Sequence, residues 1–119
     1  MNRRFLLVAG LLLLGGCATT PPPIVAPAGA PFQELEPLLA ARAGGEALTI
    51  TVVSNGCTKK EDFAFFLERH GEAVRLAFGR KRIDVCKAAP SPVDITFTFA
   101  ELGVGPRSPV FLLNPLEAL

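Results

Sequence analysis

The sequence is poor in the side chains on which many binding and catalytic sites depend. It contains no Trp and no Tyr, the residues on which sugar-binding grooves and protein hot spots commonly rely. Cys57 and Cys86, 29 positions apart, and the single histidine His70 do not make the usual ligand set of a metal site once Cys17 is assigned to another role. The formal net charge of +1 argues against nucleic-acid binding.

A hydrophobic run long enough to cross a bilayer is also missing. The longest apolar stretch, residues 5–14, covers about ten positions, whereas a spanning helix needs about twenty. Arg3 and Arg4 precede this stretch. A short basic region followed by a short apolar region is the pattern of a secretory signal peptide.

The four residues Leu14-Gly15-Gly16-Cys17 follow that apolar run. An aliphatic residue, two small residues and a cysteine resemble the lipobox of bacterial lipoproteins. The resemblance implies a signal peptide at residues 1–16, cleavage by signal peptidase II, and a lipid-bearing Cys17. The next residue is Ala18 rather than Asp, which by the same resemblance favours an outer-membrane location facing the periplasm.

Residues 18–31 contain five prolines, a composition that favours extended polyproline II over a hydrogen-bonded ladder. At ~3.1 Å per residue such a segment would span roughly 40 Å. We therefore expect residues 17–31 to form a lipidated tether and residues 32–119 to form one small domain. A proline-rich ligand for a partner groove is the alternative.

Within the domain, the hydrophobic period changes along the chain. Apolar residues three and four apart over residues 32–42 predict one short N-terminal helix, although Pro37 interrupts it. Alternating apolar residues predict strands near residues 48–53, 63–67, 74–78, 93–99 and 110–113. The predicted fold is mainly β, a small antiparallel sheet of four or five strands that is sandwich-like or an open barrel.

A two-residue turn at Gly71-Glu72 sets a specific register for the second and third strands. That register places Phe65 opposite Phe78, and it also places Cys57 opposite Cys86. It further predicts four pairs of opposite charge: Glu68 with Arg75, Asp62 with Lys81, Glu61 with Arg82 and Lys59 with Asp84. With Cys17 assigned to lipid, a Cys57–Cys86 disulfide is the prediction for an exported domain.

The remaining candidate binding features are a basic cluster and one phenylalanine. Arg80, Lys81 and Arg82 are consecutive cations that could meet an anionic lipid, a glycolipid or an acidic protein face, although a solvated surface is the simpler interpretation. Phe66 alternates out of phase with Phe65 and Leu67. It could fill a second packing layer or be an exposed anchor for a partner.

The stretch from Leu48 to Leu113 resembles that of small proteobacterial lipoproteins, and this resemblance implies no activity. The layout of a lipid anchor, a β domain and one disulfide is also similar to the membrane-bound inhibitors of c-type lysozyme. No arrangement of nucleophile, base and orienting group is apparent around His70. We therefore expect a non-enzymatic envelope binding or scaffolding protein without a cofactor or metal. An inhibitor or ligand-binding module using the loop at 101–109 is the alternative.

Overall fold

A computed structural model describes residues 24–118. Cys17 and the signal peptide predicted at residues 1–16 lie outside the described residues. The elements in chain order are β1 (Ala40–Ala43), β2 (Ala47–Ser54), a 3₁₀ turn (Lys60–Asp62), β3 (Phe63–His70), β4 (Ala73–Arg80), β5 (Ser91–Thr98), α1 (Phe99–Leu102) and β6 (Val110–Leu112).

The strands form two sheets of three strands each. One sheet has the order β1-β2-β5 with antiparallel pairing throughout, and the other has the order β3-β4-β6. The last pairing, between β4 and β6, is parallel. The mainly β class is confirmed. The division into two sheets and the parallel pair differ from the single antiparallel sheet that was predicted.

The β3–β4 hairpin has the register predicted from Gly71-Glu72. Phe65 lies opposite Phe78, and His70 lies opposite Ala73. Gly71, the first central residue of the turn, has a positive φ of 63°, and Glu72, the second, does not have a positive φ. A type II′ turn requires this combination. The alternating pattern and the turn residue together therefore fix which side chains share a face.

The ladder ends at the pair Phe63–Arg80, earlier than the sequence predicts. The 3₁₀ turn intervenes, and its Asp62 carboxylate accepts a hydrogen bond from the backbone N–H of Lys59 at 3.0 Å. The predicted strand pairs beyond this point, such as Lys59 with Asp84, are therefore wrong as ladder pairs. Lys81 N–H still donates to Asp62 O at 2.7 Å, but no ladder pair of β3 and β4 forms within or beyond the 3₁₀ turn.

The helix predicted over residues 32–42 is wrong. Its backbone donates instead to three other parts of the fold: Glu36 N–H to Phe78 O at 2.9 Å, Leu38 N–H to Pro115 O at 2.9 Å, and Leu39 N–H to Thr51 O at 2.7 Å. Pro37 cannot donate at all, which disfavours a helix here. The regular spacing of Phe32, Leu35 and Leu38 arises because an extended segment contributes to two separate clusters.

The main core lies between the two sheets. Phe97 of β5 contacts Phe78 of β4, with ring centroids 4.9 Å apart, and Phe65 of β3 at 6.4 Å. The fully buried aliphatic side chains of this core are Leu38, Ile50, Val52, Val74 and Leu76. Both sheets thus bury one face against the other, which is the arrangement of a small sandwich.

A smaller cluster covers the outer face of the β3–β4 hairpin. Phe32, Leu35 and Ala77 form its centre, and Ala26, Ala30 and Phe66 pack against it. Phe32 lies directly on the backbone of Gly79, where a Cβ atom would overlap its ring. Residues 24–31 belong to this layer, because Ala26 N–H donates to Gln33 O at 3.0 Å. The described part of the expected tether therefore lies against the domain.

Candidate functional site

The disulfide joins Cys57 and Cys86, with Cα atoms 5.8 Å apart. The predicted disulfide is confirmed. It lies beyond the end of the β3–β4 ladder, so the two cysteines are not a ladder pair. The bridge connects the segment after β2 to the segment after β4. It therefore fixes the base of residues 81–88, which we name the Asp84 loop.

Asp84 is the internal anchor of this loop. Its carboxylate accepts five hydrogen bonds from the segment after β2 and from its own loop. The donors are Ser54 Oγ (3.3 Å), Asn55 N (2.8 Å), Cys57 N (3.0 Å), Thr58 Oγ1 (2.7 Å) and Cys86 N (3.0 Å). Desolvation by burial would raise the pKa of Asp84, but the hydrogen bonds outweigh it and hold that pKa far below 3.8.

Burial alternates along residues 83–86. Asp84 and Cys86 are partly buried, whereas Ile83 and Val85 are 76% and 80% exposed. The side chains that anchor the loop thus alternate with aliphatic side chains that face solvent. Nothing in the described fold covers them, and exposed apolar residues rimmed by charge are typical of interaction sites.

The three consecutive cations of the predicted binding face separate in the structure. Lys81 and Arg82 are exposed at the start of the Asp84 loop, and the Arg82 side chain is 77% exposed. Lys87 is exposed further along it. Asp84 is the one acidic residue of the loop, and its charge is directed inward. The loop surface is therefore basic and apolar.

Arg80, in contrast, is an internal residue. Its side chain is only 18% exposed and is paired with Glu36, which is 11% exposed, at 2.9 Å. It also donates to Val53 O at 2.6 Å and to Thr58 Oγ1 at 3.0 Å, and its guanidinium lies 4.9 Å from the ring centroid of Phe63. These contacts occupy the guanidinium, so it holds the fold around the loop and does not face a partner.

Phe66 lies in the smaller apolar cluster. It is partly buried, and its pairing partner in β4 is Ala77, which is fully buried. The Phe66 ring also lies next to Gly29, 3.7 Å from the position that a Cβ atom on this glycine would occupy. The packing interpretation of Phe66 therefore describes its surroundings better than the exposed anchor does.

The potential for metal binding or acid–base chemistry is limited in the part of the chain that the structure describes. Cys57, Asp84 and Cys86 are close enough to share an ion, but both sulfurs are in the disulfide and cannot act as thiolate ligands. His70 Nε2 lies 2.7 Å from Glu68 Oε1 on the exposed hairpin. The hydrogen bond between His70 and Glu68 lowers the pKa of Glu68, and partial desolvation of the carboxylate opposes that effect.

The loop suggested for an inhibitor, residues 101–109, begins inside α1. Thr98 caps this short helix by accepting from Glu101 N at 3.1 Å, and Gly103 ends it with φ 76°. Val104 is buried, whereas Pro106 and Arg107 are exposed. Beside it, an apolar cleft of about 570 Å³ opens between β1 and β6, with Leu48, Phe99 and Leu112 among its lining residues.

No family model, no curated protein and no solved structure matches this chain. Between residues 24 and 118, none of the helices has the length and hydrophobicity needed to cross a membrane. Ile83 and Val85 are not among the predicted site residues, although their alternation with Asp84 and Cys86 is a sequence signal for outward-facing side chains beside a disulfide.

Proposed function

We propose that this chain is a lipid-anchored protein of the bacterial outer membrane, facing the periplasm, and that its domain is a non-enzymatic binding or scaffolding module. The observation that carries the anchor is the sequence Leu14-Gly15-Gly16-Cys17 behind a basic and an apolar region. The disulfide supports export, because such bonds persist in oxidising compartments. Ala18 supports the outer membrane as the destination.

The Asp84 loop is the surface through which this module binds. It combines two exposed aliphatic side chains with three exposed cations on a backbone that the disulfide and Asp84 hold in place. A preformed surface loses little conformational entropy on binding, so it is suited to recognition. The buried, fully engaged Arg80 contributes to this surface only by supporting it.

The anchor is tested by expressing the full chain with Cys17 intact or replaced by Ser. The wild-type protein is expected to fractionate with membranes and to yield an N-terminal peptide that begins at acylated Cys17. The Cys17→Ser chain is expected to lose both the lipid mass and the membrane fraction. Cleavage at another residue, or an unmodified Cys17 in the wild-type protein, would contradict the anchor.

The binding surface is tested by crosslinking the lipidated protein in intact cells, followed by mass spectrometry. Arg82→Glu reverses a cation of the Asp84 loop, and Arg107→Glu is the matched comparison, because it reverses an exposed cation in the alternative loop at 101–109. Crosslinks to envelope components are expected to fall with Arg82→Glu and to persist with Arg107→Glu. An equal loss with both variants would mean that the Asp84 loop is not the binding surface.

A further inference from the structure

The Asp84 loop and the beginning of the described chain are neighbours. Lys81 and Ile83 line a depression of about 600 Å³ together with residues 31–37. Ile24 runs beside that segment, because its carbonyl accepts a hydrogen bond from Leu35 N at 3.0 Å. The loop thus lies on the side of the domain from which the chain leads back toward Cys17.

The length of chain between Cys17 and Ile24 limits how far the domain can move from an anchor. Seven residues, even when fully extended, reach at most about 25 Å. If Cys17 carries lipid, Ile24 must therefore stay within that distance of the bilayer. This limit keeps the adjacent Asp84 loop close to the membrane surface as well.

The chemistry of the Asp84 loop matches an anionic lipid surface. Ile83 and Val85 project from it as aliphatic side chains, and Lys81, Arg82 and Lys87 provide positive charge in the same stretch. Cations next to a bilayer are attracted by anionic headgroups, and aliphatic side chains gain by leaving water for the acyl boundary. Ile24 and Val25 add two more exposed aliphatic side chains at the neighbouring segment.

We infer that the Asp84 loop docks on the anionic surface of the bilayer that holds the anchor, and so fixes the orientation of the domain relative to the membrane. This inference rests on the proposed lipid anchor. Two aliphatic side chains and three cations form a weak contact by themselves. The anchor supplies a high effective concentration, which makes a weak second contact persist.

The absence of Trp and Tyr provides a direct test. Val85→Trp introduces a sole indole at a position that is 80% exposed, so the substitution is compatible with the fold. Phe111→Trp is the matched control, because Phe111 is also exposed but pairs with Arg75 near the opposite end of β4. The lipidated full chain is reconstituted in phosphatidylcholine vesicles, with or without an equal part of phosphatidylglycerol, and the indole emission is measured.

The expected result is a blue shift for Val85→Trp on vesicles that contain phosphatidylglycerol, and no shift for Phe111→Trp. Adding Lys81→Glu and Arg82→Glu to the Val85→Trp chain should lower the equilibrium constant for docking, followed through the blue shift, about ten-fold or more, given the attraction of each cation to an anionic surface. Unchanged thermal unfolding of the variants would show that the loss is not a loss of folding.

Other outcomes overturn the inference in distinguishable ways. If the protein floats with vesicles but Val85→Trp shows no shift, the anchor holds and the docking is wrong. If the emission of the Phe111→Trp chain shows an equal blue shift, the membrane contact is not specific to the Asp84 loop. If Val85→Trp shows no shift on either kind of vesicle, while the Asp84 loop crosslinks to one protein in intact cells, the loop binds a protein rather than lipid. If the wild-type chain does not float, the anchor itself fails.

Discussion

The side-chain amide of Asn114 pairs with the backbone of Phe78 as a peptide group of a neighbouring strand would. Its Oδ1 accepts from Phe78 N–H at 2.9 Å, and its Nδ2 donates to Phe78 O at 2.8 Å. The same Nδ2 also donates to Glu36 O at 2.8 Å. One buried side chain therefore joins the C-terminal segment, β4 and the segment that precedes β1.

Replacing Asn114 by Leu or Ala should destabilise the domain by about 3 kcal/mol, because backbone groups of Phe78 and Glu36 would lose buried partners. Leu preserves most of the volume, so similar losses with both variants would assign the effect to hydrogen bonding. Urea unfolding provides the measurement. A midpoint unchanged in the Leu variant would contradict this role.

The part of the fold that the sequence predicts correctly depends on local alternation and one turn. Gly71 determines the register of β3 and β4, and that register aligns Phe65 with Phe78. The same register places Cys57 opposite Cys86, and a disulfide joins them although they lie beyond the end of the ladder. These features are predictable because a period of two and a two-residue turn act over short distances.

The features that the sequence does not predict depend on contacts between distant segments. The sequence Asn114-Pro115 indicates a turn, whereas the Asn114 side chain accepts a hydrogen bond from Phe78, 36 positions away. Arg80 has the sequence context of a surface cation, but it donates to the carboxylate of Glu36, 44 positions away. The helical spacing of Phe32 and Leu35 likewise serves an extended segment. No local pattern encodes these partners, because each depends on how the two sheets come together.

Arg80 should be essential for stability, unlike Arg82 two positions later. Arg80→Met keeps the aliphatic stem but leaves the largely buried Glu36 carboxylate without its ion pair, which should cost about 3 kcal/mol. Arg82→Met, on a side chain that is 77% exposed, should change the free energy of unfolding by less than about 0.5 kcal/mol. Denaturant titration of the two variants compares them directly. Equal stabilities would show that Arg80 is not structural.

Loss of the disulfide should destabilise the domain by about 3 to 4 kcal/mol, the value expected from closing a loop with a sequence separation of 29. The Cys57→Ser/Cys86→Ser double variant avoids a free thiol. Limited proteolysis should then cut first within the Asp84 loop, because the bridge no longer holds its base. A double variant with the wild-type urea midpoint and an uncut loop would contradict the prediction.

Asp84 should make stability depend on pH in the acidic range. Desolvation tends to raise its pKa, but hydrogen bonds from Thr58, Cys57 and others lower that pKa well below 3.8 in the folded state. A carboxyl group with a depressed folded pKa stabilises the protein above its unfolded pKa, and this contribution disappears as the pH falls toward the folded pKa. Asp84 should therefore contribute in full above about pH 5.

The Asp84→Asn variant isolates this contribution, because an amide cannot carry the charge and presents N–H groups toward N–H donors. Its midpoint for thermal unfolding should lie below that of the wild type at pH 7, and the difference should shrink as the pH falls below 3.8. Glu61→Gln, which removes one exposed carboxylate, controls for the change in net charge. A difference between Asp84→Asn and wild type that stays constant from pH 7 into the acidic range would mean that the Asp84 charge is not what holds the loop. A difference that narrows only for Asp84→Asn would identify the Asp84 carboxylate as the group whose ionisation stabilises the domain above its unfolded pKa.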